Sequence, residues 1–180
     1  MLFRSVSVMF TKADIEKYFI AEKQAGLLFI CIGVAAIIIA MLGLFLWKTQ
    51  GWKGAAIPLI AIAFIQIAVG YTVYSKSDKQ RMNNVYAYDM NPTKLVKEEL
   101  PRMETVNKNF TIFLYVETAL LLAGIILIIV YRTNTGKQFW YGLGLALAIQ
   151  AVLMLGADYF AQKRAKLYTE QLKSLTKPGN

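Results

Sequence analysis

Two acidic side chains stand where acids are expensive. Glu117 lies in the run 110–131 and Asp158 near the end of the run 139–161, and each is the one charged residue in an otherwise apolar stretch. Ionisable groups inside such segments are functional-site candidates by default. Two carboxyls brought to one depth can hold a proton or a cation between them. The competing expectation is structural: Glu117 bonded to Thr118, a tyrosine, a lysine or water, and Asp158 paired with Lys163 or Arg164. Gln66 and Gln150 fall near the middle of two apolar runs. A buried amide seeks a partner, so a bond between the two is expected, worth about 0.6–2 kcal/mol. A polar lining for a pore or ligand is the alternative. Tyr86, Tyr88 and Asp89 form an aromatic and acidic group in the longest polar segment, expected as a contact for a partner.

Other chemistry is thin. There is no histidine and one cysteine, Cys31. That removes histidine-based triads, the usual histidine-containing zinc sites and any internal disulfide. Cys31 lies in an apolar run, where a thiol is inert for want of electropositive neighbours. Gly142-Leu143-Gly144 reads as a small-residue helix face, not a phosphate loop. The expectation is a non-enzymatic protein with no cofactor and no metal.

The elements that must position these residues are membrane spans. The chain is 57% hydrophobic and 17% charged, with a mean hydropathy of +0.44. Ordinary soluble domains run about 45–50% apolar and about 25% charged. Four stretches, 25–47, 54–75, 110–131 and 139–161, reach the roughly 20 apolar residues that a helical span needs. The predicted fold is all-α: a polytopic membrane protein of four transmembrane helices. Sixteen of the 20 Lys and Arg residues fall in the segments 1–24, 76–109 and 162–180, and four fall in the two short turns. The bias places both termini and the 76–109 loop in the cytoplasm of a cell whose inner membrane holds the chain. The formal charge of +9 then serves topology and anionic lipid, and no nucleic-acid module is evident.

The halves look duplicated. Trp47-Lys48-Thr49-Gln50 lines up with Tyr131-Arg132-Thr133-Asn134, and the segment ending at Gln66 with that ending at Gln150. Two parallel hairpin repeats in a four-helix bundle follow. Gly33, Ala36, Ala40 and Gly43 in the first span, and Ala56, Ala63 and Gly70 in the second, put small residues on one face, where helix backbones can approach closely in lipid. Gly144, Ala148 and Ala151 do the same in the fourth. Pro58 reads as lying within the first turn or so of its helix, where a missing amide costs little. Thr11 and Asp14 resemble a capping box opening a short amphipathic helix, 12–24, on the membrane surface. In the 76–109 loop, helix is expected to run on to Arg81. Asn91-Pro92 marks a turn, and Thr93 caps a short helix ending before Pro101. Residues Met1–Val8 read as a loose extension, and Lys177-Pro178-Gly179 as the stop of the last helix.

The stretches Val85–Pro92, Glu99–Met103 and Leu155–Phe160, with the four spans, resemble a family of small four-span bacterial inner-membrane proteins. The resemblance carries no catalytic residues. In plan such proteins are loosely similar to immunity proteins that guard against membrane-targeting toxins. What the resemblance implies is a protective or accessory protein that binds a membrane-inserting toxin or partner helices. The alternative is a small oligomeric channel or transporter using Glu117 and Asp158. Expected partners are the lipid bilayer, another membrane protein and a second copy of the chain.

Overall fold

The structure is a computed structural model and describes residues 10–175. The expectations for Met1–Val8 and for Lys177-Pro178-Gly179 lie outside those residues. Among the described residues there are four long helices and no strand. Helix α1 is Lys12–Leu42 and continues as a π-helical turn, Gly43–Trp47; α2 is Gln50–Met90 and α3 is Pro92–Tyr131. A 3-10 turn, Thr135–Lys137, leads into α4, Gln138–Ser174.

All four helices are long and apolar enough to cross a membrane. Their packing is that of helices in lipid. Leu46, Phe64 and Ile129 are 68%, 63% and 61% exposed, whereas a soluble bundle turns such side chains inward. The seams hold glycine and alanine instead. Along α1 and α2, a Cβ on Gly70 would lie 2.6 Å from the Gly26 carbonyl oxygen, and one on Gly33 2.9 Å from that of Ala63. Ala36, Ala40 and Ala56 are buried farther along the same seam, and Gly43 lies against the ring of Trp52. Gly124 and Gly144 bring α3 and α4 together in the same way. Close backbone approach of this kind drives helix association where no water is present to be released. The two hairpins, α1–α2 and α3–α4, meet mainly through α2 and α4. The Cys31 thiol residue is exposed on the outer face of α1.

The helices do not stop where the apolar runs stop. At 1.5 Å per residue the 15 residues from Lys76 to Met90 add about 22 Å to α2, and the other three helices extend alongside. The result is a four-helix head with its own core: Phe10, Ile15, Tyr18, Phe19, Leu95, Met103, Ala165, Tyr168 and Leu172. The Tyr18 and Tyr168 rings stack at 4.3 Å. Ion pairs tie the head together, Lys12 with Asp89 at 2.7 Å and Lys173 with Glu104 at 3.2 Å.

Several expectations change here. The 12–24 segment is helical, but its Ile15, Tyr18 and Phe19 face is covered by the head core instead of lying on a lipid surface. The 76–109 loop is a helical hairpin. Asn91, not Thr93, caps α3, its side chain accepting from the Lys94 N–H at 2.9 Å, with Pro92 in the first turn. Pro101 does not end the helix. An interior proline costs about 3 kcal/mol. Leu95 and Met103, 2% and 0% exposed on either side of it, stabilise the helix by more than that, at about 1.5–3 kcal/mol each. Pro58 lies inside α2 rather than in its first turn, so the Gly54 carbonyl lacks its usual helical donor. The capping acid behaves as read: Asp14 accepts from the Thr11 N–H at 2.8 Å and from its hydroxyl at 2.7 Å.

Candidate functional site

The polar groups of the bundle form a descending series along α4. In the head, Arg102 donates two bonds to Glu99, each 2.6 Å, and its guanidinium sits 5.7 Å over the Phe19 ring. Next, Arg164 donates to Glu22 at 3.2 Å. Burial pushes the Glu22 carboxyl up from its ordinary range, against the downward pull of Arg164. Asp158 lies six residues deeper on α4, about 9 Å by the helical rise, and Gln150 about 12 Å beyond that.

At the Asp158 level, α3 contributes Glu117. The two carboxyls lie within hydrogen-bonding reach of each other, and the residues are 2% and 8% exposed. No N–H or hydroxyl among the described residues donates to either Glu117 oxygen. Two of the structural partners considered for them are engaged elsewhere: the Thr118 hydroxyl donates to the Leu114 carbonyl at 2.7 Å, and Arg164 serves Glu22. Deeper still, Gln66 Nε2 donates to Gln150 Oε1 at 3.4 Å, joining α2 to α4. Gln66 Oε1 and Gln150 Nε2 are left without a protein partner.

Glu117, Asp158 and Gln66 line a cavity of about 560 Å³ walled by all four helices. Its other walls are apolar, with Phe29 from α1, Val69 from α2 and Phe113 from α3. Ile65, Phe113 and Val116 line it while being 57%, 48% and 53% exposed. The cavity therefore opens sideways at the bundle surface, level with the spans. Arg102 lines it toward the head, and Lys76 lines it near the level of Asp158.

Gln66 meets Gln150 and Glu117 meets Asp158, but the two pairs sit at different depths. The small residues named from the sequence all lie at helix seams, and Gly26, Gly54, Gly124 and Gly142 join them. The expected partner group is split. Tyr88 donates its hydroxyl to the Phe10 carbonyl at 2.9 Å, and Asp89 pairs with Lys12, so both serve the head. Tyr86 alone points outward, 66% exposed. The sequence reading missed Glu22, Glu99, Arg102 and Arg164 as a connected set. Among the described residues no group of His, Cys, Asp and Glu has a metal-binding arrangement. No family model, no curated protein and no solved structure matches the chain, so the site is read on its own chemistry.

Proposed function

We propose that this chain is a non-enzymatic integral protein of a bacterial inner membrane that binds and moves a proton or cation at the Glu117–Asp158 pair. One observation carries the reading: Glu117 is 2% exposed, receives no hydrogen bond and lines a cavity opposite a second carboxyl. Two carboxylates at such range in an apolar surround need a neutralising proton or cation. A polar site within the spans and open to one side is what a transport step requires. The protective, toxin-binding reading draws on apolar helix faces, which every span presents to lipid, so the geometry favours transport.

The Lys and Arg bias supports cytoplasmic termini, which sets the head in the cytoplasm and the cavity in the inner-leaflet half. The reciprocal contact of Gly54 and Gly142 between α2 and α4 supports two parallel hairpin repeats. The test is flux: purified chain in lipid vesicles carrying a pH-sensitive dye should dissipate an imposed pH gradient faster than empty vesicles. Glu117→Gln should return the rate to that of empty vesicles. Equal flux in the variant, or none in the wild type, overturns the proposal.

A further inference from the structure

We infer that the cavity takes an amphipathic organic cation entering sideways from the bilayer, its charge against Glu117 and Asp158 and its apolar body against Phe29, Val69, Phe113 and Val116. The inference rests on the proposed function, since it names what the same carboxyl pair holds besides a proton.

Charge complementarity selects the occupant. The charged groups facing the cavity are Glu22 from α1, Lys76 from α2, Arg102 and Glu117 from α3 and Asp158 from α4. Arg102 is taken by Glu99, and Glu22 by Arg164. Lys76 is ten residues along α2 from Gln66, about 15 Å, so by the Gln66–Gln150 register it stands within about 3 Å of the Asp158 level, exposed at the cavity rim. The two carboxyls thus share the cavity with one exposed lysine, and the net negative charge that remains favours a cationic occupant over an anionic head group.

The walls decide between cations. A bare metal ion needs six or more oxygens to replace its hydration shell, and the deep half offers two carboxyls and the free Gln66 Oε1. An organic cation is weakly hydrated and brings apolar surface that matches the walls. Phe29 and Phe113 add aromatic faces of the kind that attract cations. The volume of about 560 Å³ falls within the roughly 300–1,000 Å³ of small-molecule sites. The side opening admits a molecule already dissolved in lipid. Protons and the cation compete for one carboxyl pair, so binding weakens as pH falls.

The probe is tetraphenylphosphonium, titrated calorimetrically into the full chain in detergent. Saturable binding to wild type is expected, weaker near pH 6 than near pH 8. Glu117→Gln should weaken it by about tenfold or more, and Glu117→Asp should largely retain it. Triphenylphosphine oxide, of similar bulk and uncharged, should bind far less. Should Glu117→Gln fail to fold, Val69→Trp serves in its place, filling the cavity while leaving both carboxyls and abolishing binding. No saturable binding to wild type, equal binding of the uncharged analogue, or unchanged binding in Glu117→Gln or Val69→Trp overturns the inference. Proton flux that depends on Glu117 without phosphonium binding would sink this inference alone, and loss of both would sink the proposed function with it.

Discussion

Gly54 and Gly142 approach each other's helix at the same offset. A Cβ on Gly54 would lie 1.9 Å from the carbonyl oxygen of Phe139, and one on Gly142 would lie 1.9 Å from that of Gly51. Each glycine thus faces the peptide three residues before the other. The contact joins the two hairpins, and everything that α2 and α4 hold in common, the Gln66–Gln150 bond included, depends on that spacing.

Gly54→Ala and Gly142→Ala should therefore each cost about 3 kcal/mol, the upper range for overpacking, because the obstacle is backbone and cannot rotate away. Gly156 has open space where its Cβ would be, so Gly156→Ala should be neutral or stabilise by up to about 1 kcal/mol through helix propensity. Thermal unfolding in detergent checks both. A Gly54→Ala variant as stable as wild type would contradict the close approach.

The head should behave as a true hydrophobic core. Tyr168 is 1% exposed and touches Phe10, Tyr18 and Phe19. Tyr168→Ala should cost about 3–5 kcal/mol, and Tyr88→Phe about 1 kcal/mol for the lost bond to Phe10. Tyr86→Ala, on the outer surface, should stay within about 0.5 kcal/mol. Denaturant titration followed by near-ultraviolet circular dichroism separates the three, and equal losses at Tyr86 and Tyr168 would contradict the assignment.

Glu22 makes the head sensitive to pH in a defined direction. Burial pushes its carboxyl above the ordinary carboxylate range, although Arg164 and Arg102 draw it down. Between the unfolded value and the raised folded one, the unfolded chain has released a proton that the folded chain keeps. The folded state then binds more protons, so stability falls as pH rises through that window and is level beyond it. Glu22→Gln should remove this slope. Melting temperatures of wild type and variant should differ in slope only within that window and run parallel below and above it. Parallel curves throughout would show that Glu22 contributes nothing to the pH dependence.

Much of the membrane part was legible because the signals there are local. Runs of apolar residues mark the spans, and Gly33, Ala36 and Ala40 mark a seam by their spacing along one helix. Gln66 and Gln150 stood out because nothing around them is polar. The head was not legible for the opposite reason. Its core is assembled from Ile15, Tyr18 and Phe19 in one segment, Leu95 and Met103 in another, and Tyr168 and Leu172 in a third. No segment alone carries enough apolar residues to announce a core: 12–24 read as a surface helix, Leu95 as part of a short helix with no named packing partner, and Tyr168 and Leu172 as part of a polar extension of the fourth span. Pro101 reinforced that reading, since a proline ordinarily closes a helix, and only burial on both sides of it keeps α3 continuous. Arg164 misled in another way: it is near Asp158 in sequence, yet tertiary packing brings it to Glu22. Gly142 showed in the sequence as part of a small-residue face, and its close approach to α2 at Gly51 and Gly54 depends on the pairing of α2 with α4.

The most direct measurement asks whether Glu117 and Asp158 meet inside the membrane. In a Cys31→Ser background, Glu117→Cys and Asp158→Cys should be bridged within one chain by a short membrane-permeant bis-methanethiosulfonate, which releases methanesulfinate at each thiol, in intact membranes, with Lys12→Cys and Asp89→Cys as a head control. The predicted result is a bridged monomer for both pairs by mass spectrometry. Bridging of the control pair with none between positions 117 and 158 would contradict the carboxyl pair on which the proposed site is built.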